Sequence, residues 1–206
     1  MRTDSHSIMR ALIVVDVQRD FCEGGVLPAK QTRSLIPPLN AVIDRCVQNE
    51  VACVFTRDWH PANHCSFQSQ GGPWPPHCVQ GTRGAEFAVG LQLPDSRLVI
   101  DIEKDSNTRN MGYSAFENTN LEAELCNRRI TELAVCGIAT DYCVKATVLD
   151  AIRCGFQVAV LTDLVRPIDL QPGDSARALA EMKSEGAKLL TSQEWMNASG
   201  VGGSVS

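Results

Sequence analysis

No pair of the nine cysteines in this 206-residue chain has the C-x-x-C spacing. That absence argues against a zinc ribbon and against a thioredoxin-like redox pair. A basic cluster is also missing, and the net charge is −5. Nucleic acid, whose phosphates require a basic face, is therefore excluded as a partner. Residues 1–10 contain no apolar core of signal-peptide length. No apolar run approaches the length that crosses a bilayer, which argues against a membrane role. Scattered cysteines, odd in number and with no export signal, point to free thiols in a reducing cytoplasm. No internal repeat is present. Aromatic residues make up 5% of the chain and histidines number four, so the places where histidines gather carry weight.

What is present is the composition of one globular domain, 44% apolar and 21% charged, with enough length for a full core. Residues 10–196 are expected to form that domain, with 1–9 as a disordered extension and 197–206 as a flexible tail. The apolar run at 11–17 reads as a strand buried on both faces. Further strands are expected at 51–56, 98–102, 131–138, 158–162 and 187–190. Apolar residues at helical spacing from Leu35 to Val47 predict a helix capped by Ser34, with Pro37 in its first turn. The capping-box spacing of Thr119 and Glu122 predicts a short helix. Two more are expected at 144–154, ended by Gly155, and at 174–185. Strands alternating with helices imply an α/β fold, a three-layer αβα sandwich around a mainly parallel, doubly wound six-stranded sheet. In the order 3-2-1-4-5-6, the first and fourth strands flank the switch point where ligands bind. The long loop at 57–94, rich in Pro, Gly, His and Trp, is of a length that is usually functional.

Cys143 stands where the fourth strand gives way to a helix. A thiol there meets unpaired N–H groups and the positive end of the helix dipole, both of which favour the nucleophilic thiolate. Most cysteines are small core residues; Cys46, Cys53, Cys126, Cys136 and Cys154, lying beside Val, Ile and Leu, are read so. Two candidate partners of Cys143 end other strands. Asp16 closes the first. A carboxylate there is costly to bury unless it is paired or its pKa rises, and a raised pKa suits a general base. The commoner use of such an aspartate is as a cap or turn residue. Lys104 closes the third strand, where a lysine is usually solvated. Beside Cys143 its ammonium would stabilise a thiolate and keep Asp16 ionised. In the long loop, Asp58, His60 and His77, with His64 between them, gather three of the four histidines within eighteen positions. Two imidazoles and a carboxylate with open positions suit a divalent transition metal. Cys65 and Cys78 lack a partner at zinc-finger spacing and are left out of that set.

Five segments in order carry a family resemblance. They are Asp16-Val17-Gln18-Arg19-Asp20-Phe21, Asp58-Trp59-His60-Pro61, the run from Trp74 to Thr82, Lys104 with Tyr113-Ser114-Ala115-Phe116, and the run from Gly137 to Val144. Over residues 11–190 the chain resembles the nicotinamidases (pyrazinamidases) of the isochorismatase-like cysteine hydrolases. The resemblance implies a catalytic triad of Asp16, Lys104 and Cys143. It implies an oxyanion hole from the N–H groups of Ala139 and Cys143, with a non-proline cis peptide before Ala139. It gives Asp58, His60 and His77 to one divalent metal, zinc first, with iron or manganese as alternatives. His64 becomes either a fourth ligand or a residue behind the metal, and Phe21, Trp74 and Tyr113 wall the substrate ring. The implied activity is hydrolysis of nicotinamide, and of pyrazinamide, to the acid and ammonia through a Cys143 thioester. The implied partner is thus a small aromatic amide; a homo-oligomer is left open. Two positions depart from the family pattern: Asp105 stands where glycine is more frequent and Arg19 where asparagine is common. Superfamily members that cleave isochorismate, N-carbamoyl compounds or ureidoacrylate generally lack the metal cluster. A non-catalytic protein on this fold would not need a complete triad, and a redox thiol would want a resolving cysteine, which is not adjacent in the sequence.

Overall fold

The structure, a computed structural model, describes residues 9–95, 99–104 and 109–198. Six strands form one sheet: β1 (Met9–Val15), β2 (Ala52–Asp58), β3 (Val99–Lys104), β4 (Ile130–Ile138), β5 (Gln157–Arg166) and β6 (Lys188–Leu190). Their order is β3-β2-β1-β4-β5-β6, as expected, and every neighbouring pair is parallel. Five helices flank them: α1 (Ile36–Gln48), α2 (Leu121–Asn127), α3 (Lys145–Arg153), α4 (Asp174–Ser184) and α5 (Ser192–Ala198).

Successive side chains of a strand point to opposite faces. In β1, Ala11, Ile13 and Val15 enter one core with Leu125 of α2, Val148 of α3 and Met182 of α4. Leu12 and Val14 enter the other with Leu39 and Ile43 of α1 and Trp195 of α5. Each face of the sheet thus has its own core, which is why the run in β1 is apolar without interruption. The result is the expected αβα sandwich. Among the described residues, no helix is long and apolar enough to cross a membrane.

Several local expectations are corrected. β1 starts at Met9, which pairs with Ile130, so that residue belongs to the sheet and not to an extension. α5 carries regular structure two residues into the expected tail, because Trp195 and Met196 are buried against the second core. Residues 1–8 and 199–206, and with them the rest of both expected termini, lie outside the described residues, as do Leu98 and Asp105. Ser34 is not the cap of α1. Its hydroxyl donates to the Gln31 carbonyl at 2.8 Å within a 3-10 turn, and Leu35 precedes the helix without a side-chain cap. Pro37 does sit in the first turn. At α2 the cap is Asn120, and the Thr119 hydroxyl accepts from the Leu121 N–H at 3.2 Å instead of closing a capping box. Cys46, Cys53 and Cys136 are buried, but Cys126 and Cys154, at the carboxyl ends of α2 and α3, are exposed.

β4 packs tightly on β1 at Gly137, which pairs with Val15 and has φ +111°. A Cβ added there would lie 2.1 Å from the Val15 carbonyl oxygen. Glycine alone fits both the conformation and the gap. Gly137→Ala is expected to lower stability by more than about 1 kcal/mol. Urea unfolding measures it, and an unshifted midpoint would contradict this account of the sheet.

Candidate active site

The carboxyl ends of the four central and edge strands β3, β2, β1 and β4 meet at one place. Asp16 follows β1 directly, with its backbone in the left-handed region at φ +48°. Asp58 ends β2 and Lys104 ends β3, and the parallel register makes those two residues direct partners. After β4 comes a cis peptide between Ile138 and Ala139, then a π-helical turn, Thr140–Val144, that holds Cys143 and leads into α3. Asp16, Asp58, Lys104 and Cys143 are all buried, Lys104 and Asp16 completely.

Lys104 is the hub. Its Nζ lies 2.9 Å from Asp16 Oδ2 and 2.7 Å from Asp58 Oδ1. It also lies 3.1 Å from the Tyr113 carbonyl, 3.4 Å from the Gly112 carbonyl and 3.6 Å from Cys143 Sγ. The three residues expected as a triad are therefore in contact. Burial works against the lysine's charge, yet the two carboxylates outweigh it and hold its pKa well above the usual lysine range. Burial raises the Asp16 carboxyl to about 6, with Lys104 pulling the other way. Burial also disfavours ionised Asp58, but Lys104 and the imidazole of His60 outweigh it and keep that carboxyl well below the usual range. At Cys143, burial raises the thiol well above its ordinary value against the pull of Lys104. This differs from the thiolate expected at a helix start. The residue is shut away from water, and two acids stand close to it.

A second cluster adjoins the first through Asp58. His60 Nε2 is 3.4 Å and His77 Nε2 4.0 Å from Asp58 Oδ2. One donor atom from each of the three residues falls within 4.8 Å of the others, and all three are buried. Backbone pairing brings the two histidines together: His60 N–H donates to the Cys78 carbonyl at 3.0 Å, and Gln80 N–H to the His60 carbonyl at 2.8 Å. Asp20 anchors the same loop by accepting from the Cys78 N–H at 2.8 Å. His77 Nδ1 lies 2.8 Å from the Pro75 carbonyl; a carbonyl can only accept, so the proton sits on Nδ1 and Nε2 keeps its lone pair. Burial lowers the His77 pKa, favouring the neutral ligand form. Among the described residues, Lys104 is the one ammonium paired with the two buried carboxylates, and a cation beside Asp58 would offset further negative charge there. The donor set and the charge both fit a divalent metal. His64 is outside that set. It stacks on His60 with ring centroids 4.2 Å apart and places Nδ1 2.7 Å from Ser66 Oγ.

Phe21, Trp74 and Tyr113 line one small cavity with Asp58, His77, Ala139 and Cys143. Trp74 Nε1–H donates to the Tyr113 hydroxyl at 2.9 Å, which braces two of the walls. Leu27, Tyr142 and Ile168 complete the lining. None of these three was singled out from the sequence, although Tyr142 stood beside Cys143 in a recognised run. Arg19, a departure from the family pattern, pairs with Glu86 at 3.0 Å, outside this cavity. A larger cavity of about 740 Å³, lined by Arg19, Arg33 and Arg83 among others, holds none of the clustered catalytic-type groups.

A thiol with an acid and an amine in contact, at the switch point of a parallel sheet, defines a class: α/β enzymes equipped for covalent catalysis by cysteine. Comparison with known proteins narrows that class. The isochorismatase domain matches residues 10–194, nearly the whole chain, and the chain belongs to the isochorismatase family. The nicotinamidase of Escherichia coli (strain K12) is 40% identical, covering 93% of this chain and 99% of its own. The crystal structure of the pyrazinamidase of Pyrococcus horikoshii in complex with zinc is similar, with a TM-score of 0.83 at 46% identity over 88% of this chain and 98% of the other. A protein from L. infantum, solved in complex with nicotinate, gives 0.82 at 38% identity over 91% and 94%.

Asp58→Ala and His77→Ala are each expected to lose most bound divalent metal, and His64→Ala to keep it. Metal content after dialysis measures this, and full occupancy in Asp58→Ala would show that the donor set is misassigned.

Proposed function

We propose that the chain is a nicotinamidase, an amidohydrolase that converts nicotinamide to nicotinate and ammonia and accepts pyrazinamide as well. The observation that carries the reading is the contact of one buried ammonium, Lys104, with Asp16, Asp58 and Cys143 together. Likeness to nicotinamidases and pyrazinamidases over nearly the whole chain supports the substrate.

Asp16 is the general base and Cys143 the nucleophile. Burial keeps the resting thiol protonated, so its proton passes to the Asp16 carboxylate as sulfur attacks the carboxamide carbon. The oxyanion that forms accepts from the N–H groups of Ala139 and Cys143; loss of one such donor costs about 10²–10³ in rate. Asp16 then gives its proton to the leaving nitrogen, the C–N bond breaks, and ammonia departs from a Cys143 thioester. A water loses a proton to Asp16 as its oxygen attacks the thioester carbon. The C–S bond breaks, the nicotinate carboxyl leaves, and the proton returns to sulfur. Lys104 holds Asp16 ionised between these transfers. Phe21, Trp74 and Tyr113 hold the ring. Asp58, His60 and His77 hold one divalent metal, for which we favour zinc over iron or manganese, and when bound it supplies a Lewis-acid point that orients the ring nitrogen. All nine cysteines are free, which supports a reducing compartment, the cytoplasm.

Cys143→Ala is expected to abolish ammonia release from nicotinamide while its circular dichroism stays that of the parent protein; full turnover in that variant ends the proposal. The pH dependence has a definite sign. Asp16 must be ionised to accept the thiol proton, and its carboxyl titrates at about 6. kcat/KM is therefore expected to fall as pH drops through that value, by roughly tenfold per unit below it. A flat profile between pH 7 and pH 5 would remove Asp16 from the base role.

A further inference from the structure

The ends of β1 and β2 hold each other by side chains as well as by the sheet. Asp16 N–H donates to both the carbonyl and the hydroxyl oxygen of Thr56, each at 3.2 Å. The Thr56 hydroxyl donates in turn to Asp16 Oδ1 at 2.6 Å. Since that oxygen already accepts from the Asp16 backbone, its one proton is committed to the carboxylate. Two residues along, the exchange runs the other way. Gln18 Oε1 accepts from the Asp58 N–H at 2.8 Å, and Gln18 Nε2 donates to the Asp58 carbonyl at 2.8 Å and to the Ala85 carbonyl at 3.0 Å. Thr56 and Gln18 are both fully buried.

We infer that Thr56 and Gln18 form a reciprocal clamp of two positioning residues. Thr56, on the strand of the metal-site acid, aims the general base; Gln18, beside the base, aims the metal-site acid. The inference rests on the function proposed above and deepens it. Asp16 sits in the left-handed backbone region, uncommon for residues other than glycine, and contacts from β2 impose its direction. Thr56 does so through three hydrogen bonds, two of them made by its hydroxyl, and fixes one carboxylate oxygen, which leaves the other to Lys104. Asp58 must serve Lys104 with one oxygen and the imidazoles with the other. A small rotation of its backbone would spoil both, and Gln18 locks that backbone on its N–H and C=O sides at once.

The two halves are separable by experiment. Thr56→Val keeps the shape and removes the hydroxyl. It is expected to lower kcat by about tenfold or more, as loss of a hydrogen bond to a charged group would, with KM within a few-fold and metal content unchanged. Thr56→Ser is expected to restore kcat. Gln18→Met is expected to weaken metal affinity by about 10–100-fold. Its metal-free form should alkylate at Cys143 with iodoacetamide, read by mass spectrometry of the Cys143 peptide, at the parent rate, whereas Thr56→Val should alkylate more slowly. Parent kcat and alkylation rate in Thr56→Val, metal loss in that variant equal to that of Gln18→Met, or parent metal affinity in Gln18→Met would each overturn the clamp. If Thr56→Val does not fold, Thr56→Ala carries the same comparison, and failure of both to fold while Thr56→Ser folds without recovering kcat makes Thr56 structural and overturns its half. A parent protein that releases no ammonia from nicotinamide would condemn the nicotinamidase reading instead, and metal affinity and alkylation would still judge the clamp.

Discussion

A lysine with no access to water, set between two carboxylates, is the interaction around which the rest is arranged. Taking an ammonium and two carboxylates out of water costs roughly several kcal/mol per ion, and only close geometry recovers it. Lys104 has that geometry, with oxygens of Asp16 and Asp58 at 2.9 and 2.7 Å and two backbone carbonyls besides. The sheet supplies it. Lys104 and Asp58 are register partners, and β1 lies next to β2, so the three charges come together only if three parallel strands keep their alignment. A slip of one residue would turn each side chain to the opposite face. The two faces carry separate, differently packed apolar cores, and that packing resists such a slip alongside the ion pairs.

The same burial decides the state of the nucleophile. From the sequence, a cysteine at a strand-to-helix junction suggests a thiolate steadied by the helix dipole. In the fold, the junction is a π-helical turn closed over Cys143, and desolvation dominates. A buried thiolate beside two acids would be expensive to maintain; a buried thiol beside a carboxylate that titrates near 6 is not. In the proposed reaction the negative charge on sulfur then arises only as it is spent on the carbonyl carbon. Lys104 fits this scheme as the group that keeps the acid, and not the thiol, ionised at rest.

The parts legible in the sequence were those with a compositional or periodic signal. The unbroken apolar run of β1 declared a strand covered on both faces. Asp16 and Lys104 stood out as charged groups at strand ends, Cys143 as a thiol at a strand-to-helix junction, and Asp58, His60 and His77 because histidine is scarce elsewhere. What escaped had no such mark. Thr56 reads as an ordinary β-branched strand residue, and Gln18 as one polar residue in a motif; their value lies in partners forty positions away. Leu27 and Ile168 become cavity walls only when loops from distant segments meet. α5 is seven residues long with two buried side chains, too short for a helical period to emerge, and it is defined by what it packs against. The caps of α1 and α2 were missed for a related reason: Ser34 and Thr119 satisfy neighbouring turn groups, and nothing local says which claim on a hydroxyl prevails.

Asp58 belongs to both halves of the site, and this shared membership fixes the scale of a substrate. One oxygen meets Lys104; the other faces His60 and His77. In the proposed reaction, a ligand held by its ring nitrogen on the imidazole side and attacked at its carboxamide on the thiol side must span a distance that one carboxylate sets. Such rigidity is how a site turns binding into a near-attack arrangement. It also explains why a small, walled cavity suffices, with Trp74 braced on Tyr113 and Phe21 beside His77. Selectivity on this view comes from length and direction between two anchors and needs few polar contacts to the ring itself. An amide whose ring nitrogen and carboxamide stood in a different relation would reach one anchor and miss the other.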